Sequence, residues 1–292
     1  MKGHASLTAE YMALFRALES SRPADSRLFT DPFASRFLHQ WRKLFAMAAH
    51  LGAGRRIVEQ LLDRAAPGAR AAGIARTKWI DDEVNAALQN STQLVLLGAG
   101  FDSRAIRLPS AQQAITFELD QPETSSAKQA ALRNALGVLP ERIRFITIDF
   151  NRQSINEVLT QAGFDWSRPA CFVWEGVTNY LSAESVDRAL RQVAQTPSGT
   201  ILLFTYIHRA VLDKPEQFFG AEQLMTRLRS YGEPWTFGLY PEELASYLAE
   251  RKLTLLKDVG VAEVWQTAGR ASSGTAGYEF YRLAYAQIQR PS

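Results

Sequence analysis

The chain reads as an α/β protein on a doubly wound, mostly parallel sheet of seven strands, with a helical cap before the sheet and a helical lid inserted late. Three observations carry that reading. From Leu94 onward, short apolar runs without a polar face alternate with helical stretches, as in a parallel sheet covered on both sides. The first run, Leu94–Leu97, enters Gly98-Ala99-Gly100 and then a helix start at Asp102 or Ser103, both good capping residues. A second run, Ala114–Leu119, ends on acid about twenty residues further on, at Asp120.

Taken in order, Thr8–Glu19 places Tyr11, Leu14, Phe15 and Leu18 on one helical face, and Ser20-Ser21-Arg22-Pro23 ends it. Asp31-Pro32 starts another helix in the cap-then-proline arrangement. The alanine-rich stretch 46–76 favours helix, with breaks at Gly52, Gly54 and Pro67-Gly68. Further strands fall at Ile143–Ile148, Ala170–Trp174 and Thr200–Tyr206, and Ser182 caps a helix between the last two. Residues 207–237 interrupt the alternation with helical pieces rich in Phe, Leu and Met, too long for a plain connection. Pro241 opens the last helix, and Leu253–Val259 and Tyr278–Ile288 supply the final strands around a mobile tract, Gly269–Gly277. The implied divisions are a cap over 1–90, a binding core over 91–206, a lid over 207–237, and the rest of the core sheet over 238–292.

Composition narrows the function classes. Apolar residues make up 46% and charged residues 22%, the balance of a soluble globular chain. No run approaches the ~20 apolar residues of a membrane span, and the first residues lack an export signal, so no membrane partner is expected. A net charge of +3, with cations scattered among acids, argues against nucleic acid. Cys171 is the only cysteine, so there is no internal disulfide or zinc cluster, as in a reducing cytoplasm. Its neighbours Phe172, Val173 and Trp174 mark it as a small core residue.

In an open parallel sheet the ligand lies beyond the carboxyl ends of the strands. Those ends here are Gly98, Asp120, Asp149 and Glu175. Gly98 and Gly100 lack the Cβ atoms that would hold a ligand off the backbone. Asp120 suits two ribose hydroxyls, and Asp149 suits an adenine amine, with the Phe150 N–H on a ring nitrogen. Glu175 suits an ammonium group and Arg76, before the first strand, a carboxylate gripped in two places. Each has an ordinary alternative: Asp149 caps a helix, Glu175 pairs with an arginine of the cap, and Arg76 is a solvated charge. The set fits S-adenosylmethionine better than a dinucleotide. Ser103 stands where the dinucleotide fingerprint has its third glycine, and Asp102 would oppose a pyrophosphate.

The blocks RTKWIDDEV, QLVLLGAGFDSRAIRL, FELDQP, WEGVTNYLSAESV and GEPWTFGLYPEEL, with ALFRALESSRPADSRLFTDPFA in front, resemble the leucine carboxyl methyltransferase family. That family includes bacterial polyketide O-methyltransferases of the tetracenomycin type. The resemblance covers nearly the whole chain. It implies the class I methyltransferase (Rossmann-like) fold, S-adenosylmethionine as donor with S-adenosylhomocysteine as product, no metal, and an oxygen acceptor, usually a carboxylate. The family's donor contacts fall on Arg76, Gly98, Asp120, Asp149 with Phe150, and Glu175. One departure is Asp149-Phe150, where the family often has aspartate–leucine. A backbone contact would survive that change.

Methyl transfer from a sulfonium is an in-line displacement, so the protein mainly aligns the reacting atoms. A carboxylate of a small molecule, polyketide-like, or of a peptide needs no base, whereas a hydroxyl does. Of the four histidines, His4, His39, His50 and His208, only His208 follows a strand end. Tyr180, just past a strand end, and Tyr206, at one, are the candidates to orient the acceptor. Closure of the N-terminal helices and of 207–237 over the donor would exclude water. Removing residues 1–20 is then expected to lower turnover more than thermal stability. A hydroxyl methyltransferase, an NAD(P)-dependent oxidoreductase and an inactive methyltransferase-fold binding protein stand as alternatives.

Overall fold

A computed structural model describes residues 6–270 and 279–288. The sheet has seven strands in the order β3-β2-β1-β4-β5-β7-β6. These are β1 Gln93–Leu97, β2 Ile115–Asp120, β3 Ile143–Thr147, β4 Cys171–Trp174, β5 Ile201–Ile207, β6 Leu253–Gly260 and β7 Tyr281–Ile288. The first five run parallel, and β7 lies antiparallel between β5 and β6. Strand order reverses at β1, between β2 and β4. The crevice beyond its carboxyl end is where such sheets bind ligands.

The helices are α1 Leu7–Ser20, α2 Gln40–Ala48, α3 Gly52–Ala65, α4 Ala69–Ala87, α5 Arg104–Arg107, α6 Pro109–Gln112 and α7 Pro122–Leu136. They continue as α8 Ile155–Gln161, α9 Ala183–Val193, α10 Ala210–Asp213, α11 Ala221–Ser230, α12 Pro241–Ala249 and α13 Val261–Thr267. Alternation along the strands sends Leu94, Leu96, Val173 and Leu203 into one core, beside α4 and α13. Val95, Leu97, Phe172, Leu202 and Phe204 enter a second core on the other face. The middle strands are apolar on both sides because both sides are covered.

Several local expectations change. Gly54 does not break the chain but sits in the first turn of α3, where a Cβ would collide with the Ala48 carbonyl oxygen. Asp31 does cap, accepting from Phe33 and Ala34 N–H at 3.0 Å, but it opens only a single 3-10 turn, Ala34–Phe37. Ser182 caps α9 and Pro241 starts α12, with α13 added after β6. Most of the tract Gly269–Gly277, and Tyr278, lie outside the described residues. In α1, Leu14 and Leu18 are fully buried and Arg16 bonds Asp31 at 2.8 Å. Removing residues 1–20 would therefore open the core and cost stability, not turnover alone.

Glu118 shares the face of β2 that carries Asp120 but is taken up by Lys128, whose Nζ lies 2.6 Å away with both side chains buried. Burial outweighs that lysine and lifts the carboxyl to about 7. A folded-state value above the unfolded one favours the protonated protein, so this contribution is fully present below about pH 4.5 and is lost as pH rises through 7. Glu118→Gln is expected to flatten the melting temperature between pH 5 and 7 relative to the parent, a difference of up to about 3 kcal/mol. Parallel curves for the two proteins would show that the pair stays ionised throughout.

Candidate active site

The turn after β1 is built on two glycines in left-handed backbone, Gly98 at φ +71° and Gly100 at φ +48°. Such values are strained for other residues. A Cβ on Gly98 would run into the Val177 side chain, just beyond β4. Gly98 and Ala99 N–H donate to the Leu119 carbonyl at 2.8 and 3.0 Å, locking the turn against β2. Asp120 then accepts from the Gly100 N–H with one oxygen and from the Gln121 N–H at 2.6 Å with the other. Burial raises its pKa despite those two donors.

Across the crevice, Arg76 from α4 meets the end of β4. Its Nε bonds Glu175 Oε1 at 2.8 Å, its Nη1 bonds the Tyr281 hydroxyl at 2.9 Å, and its guanidinium lies over the Tyr281 ring. Gly176, at φ +70°, leaves room there, since a Cβ would sit 3.4 Å from Arg76. Glu175 Oε2 accepts from Arg104 at 2.5 Å, and Arg104 also bonds Asp102 at 2.5 Å and Asp81 at 2.7 Å. Burial alone would raise Glu175, but Arg104 and Arg76 pull it below the usual carboxylate range. The opposing charges of Arg76 and Glu175 thus stand side by side, each already ionised.

The structure brings Arg76, Gly98, Gly100, Asp120 and Glu175 to one crevice. Asp149 is half-exposed and lines a second depression with Gln121, Glu123, Thr147 and Asn151, beyond β2 and β3. It also accepts from Asn151 N–H at 3.0 Å, although α8 itself is capped by Ser154. Phe150 is half-buried, and its N–H makes no hydrogen bond to another described residue. Asp102 is not a bare charge at the turn, because Arg104 answers it. The Ser103 hydroxyl is committed to Asp31 at 2.6 Å.

A cavity of about 140 Å³ adjoins Arg76 and Gly176. Its walls come from α1 (Thr8, Tyr11, Met12, Phe15), from the ends of α3 and α4, from α11 (Leu224, Arg227, Leu228), and from Tyr180, Tyr231, Trp235 and Tyr281. Tyr180 is therefore one of its walls. Burial, the largest influence on it, pushes its hydroxyl up to about 12, so it keeps its proton. Tyr206 is not in place. β5 runs one residue further than its apparent end, and alternation turns Tyr206 to the other core, where its hydroxyl bonds Asp258 at 3.0 Å beside Arg282. His208 packs between Phe218 and Tyr240 and its Nδ1 accepts from Ala210 N–H at 3.2 Å, away from the cavity walls. Cys171 is buried in β4, its thiol pushed up to about 12. His4 lies outside the described residues. Sequence reasoning missed Arg104, Asp81 and Tyr281, and, although it expected the N-terminal helices and 207–237 to cover the donor, it did not name the α1 and α11 residues that wall this cavity.

Residues 9–194 match the sequence profile of the leucine carboxyl methyltransferase family. The chain belongs to that family. A Mycolicibacterium smegmatis protein assigned as an S-adenosyl-L-methionine-dependent methyltransferase is 31% identical over 235 residues, covering 78% of this chain and 73% of the relative. A Mycobacterium tuberculosis protein with the same assignment is 32% identical over 231 residues, covering 78% of this chain and 64% of the relative. The crystal structure of a Thermobifida fusca protein assigned as a methyltransferase superposes with a TM-score of 0.61 at 18% identity, covering 94% of this chain and 97% of that one. A duf574 family protein of Streptomyces avermitilis gives 0.62 at 14% identity, covering 94% and 96%. The two structures share the fold.

This methyltransferase takes its methyl group from S-adenosylmethionine. The crevice fits that donor: two Cβ-free positions at the glycine turn, a half-buried carboxylate beside them, and a cation and an anion next to each other for an amino-acid moiety. Among the described residues no cluster of His, Cys, Asp and Glu could hold a metal ion, and no helix is long and apolar enough to cross a membrane.

Proposed function

We propose that this enzyme methylates a carboxylate of an apolar small molecule, polyketide-like and of secondary metabolism, or of a peptide, forming a methyl ester. One observation carries the reading. Among the described residues, the cavity beside Arg76 has no His, Asp, Glu, Lys or Cys in its walls. Its polar groups are the guanidiniums of Arg76 and Arg227, tyrosine hydroxyls, the Trp235 ring nitrogen and Thr8. An acceptor that must lose a proton finds no base there, while one already ionised needs none. Cations and hydroxyl donors attract an anion, and the apolar walls admit a ring-sized body without displacement.

In this proposal Asp120 holds the ribose hydroxyls and Gly98 and Gly100 allow the close approach. Asp149 takes the adenine amine, Phe150 N–H a ring nitrogen, Arg76 the methionine carboxylate and Glu175 its ammonium. When bound, the donor supplies a methyl group already activated by the sulfonium charge. The chain's part is to orient, and Tyr180, which stays protonated, donates to the acceptor oxygen that does not react. The Ser6 and Thr8 hydroxyls bond Glu233, tying α1 to the 207–237 segment, and closure of these two keeps water from the reacting atoms. The lone, buried thiol suits a cytoplasmic enzyme.

The test is transfer of labelled methyl to a panel of aromatic, fatty and peptide acids, and then treatment with mild alkali. An ester releases labelled methanol, whereas a base-stable product would overturn the carboxylate reading. The rate on an ionised acid is expected to stay flat from pH 6 to 9. Tyr180→Phe is expected to lower kcat/KM about 10–100-fold with S-adenosylhomocysteine affinity unchanged. Equal loss of both would make Tyr180 a packing residue.

A further inference from the structure

Six of the twelve large apolar side chains that stand exposed among the described residues are crowded between 41 and 61: Trp41, Leu44, Met47, Leu51, Ile57 and Leu61. Their exposure runs from 47% to 71%, on a molecule whose other apolar side chains are largely enclosed. The arrangement is helical. α2 turns Ala46, and Ala49 just after it, inward and shows Trp41, Leu44 and Met47, while α3 turns Val58 inward and shows Ile57 and Leu61. The charges on this face have one sign. Lys43, Arg56 and Arg64 are exposed, whereas the acids of the same hairpin are committed, Glu59 to Arg22 at 2.5 Å and Asp63 to Arg70 at 2.6 Å.

We propose that the α2–α3 hairpin is a docking face for an anionic lipid surface. Apolar rows flanked by cations, with an indole at the edge, are what an interfacial helix presents to headgroups and acyl chains. Such a helix lies in the surface and needs no membrane span, so the absence of an apolar run of spanning length does not bear on it. A second copy of the chain fits less well, because it would bring two sets of Lys43, Arg56 and Arg64 together without free carboxylates between them. The placement also has a use. Leu62 and Ala65 of α3 line the active-site cavity immediately after the exposed Leu61, so a docked hairpin sets one cavity wall against the lipid. An apolar acid dissolved in the bilayer would have a short path to the site.

The experiment is sedimentation of the full chain with phosphatidylcholine vesicles and with vesicles also containing phosphatidylglycerol. Binding is expected on the anionic vesicles, weaker on the neutral ones, and falling as salt is raised. Leu44→Gln/Met47→Gln and Lys43→Glu/Arg56→Glu/Arg64→Glu are each expected to reduce vesicle affinity at least about tenfold, with melting temperature and S-adenosylhomocysteine affinity unchanged. Ile57→Gln/Leu61→Gln repeats the test on α3. Failure to sediment, equal binding to neutral vesicles, or variants that bind like the parent would overturn the proposal. So would a dimer by light scattering that these substitutions convert to monomer.

Discussion

Asp120→Ala is expected to weaken S-adenosylhomocysteine binding by at least about 100-fold, measured by titration calorimetry. The carboxylate is rigidly presented, with one oxygen on the Gly100 N–H and the other on the Gln121 N–H, and two ribose hydroxyls would add charge-assisted bonds. Such bonds contribute about 1.5–3 kcal/mol each, and losing two accounts for the factor. Asp120→Asn keeps the shape and one acceptor, and should fall between the parent and the alanine variant. The pKa adds a second readout. Burial raises Asp120 in the free protein, and hydroxyl donors favour its charged form, so binding should lower the pKa and release protons. Affinity should therefore decline as pH falls through the raised value, a decline absent from Asp120→Asn. Unchanged affinity in the alanine variant would remove Asp120 from the donor site.

What was legible in the sequence was what a strand end determines. Gly98, Gly100, Asp120 and Glu175 lie where a buried strand stops, so their place in the chain is also their place at the crevice. Tyr206 shows how that logic fails. A strand longer by one residue, ending at Ile207, makes Tyr206 an interior position whose side is set by alternation. Arg104 was illegible for another reason: its partners come from α4, from its own turn and from β4, which only the folded chain assembles. Asp81 did carry a signal. It falls four residues after Thr77 and three before Val84, on the buried row of α4, and an acid there requires a cation. That α1 and the 207–237 segment would cover the site was expected, but which of their residues wall the cavity was not, since an amphipathic stripe does not say what it is packed against.

Arg104→Met is expected to be the most destabilising single change near the site, lowering the melting temperature by roughly 10 °C, which corresponds to about 3–5 kcal/mol. The Arg104 side chain is almost fully enclosed and bonds Asp81, Asp102 and Glu175 at once. Methionine fills much of the volume but leaves those carboxylates short of their shared cation. Burial alone would raise Asp102; the adjoining Arg104 outweighs it and holds the carboxyl at about 2. In the parent that depressed value contributes stability present above about pH 4 and lost only as pH falls through 2. Without Arg104 the burial remains, the carboxyls rise, and the sign reverses: the variant should gain stability as pH is lowered from 8 to 5, because protonation relieves them. Arg104→Lys should recover little, since a single ammonium cannot serve several carboxylates as a planar fork does. A variant that melts like the parent, or whose melting temperature ignores pH, would mean that water reaches these carboxylates. In that case Glu175 could not be a preset anion for the donor, because its orientation depends on the oxygen that Arg104 holds.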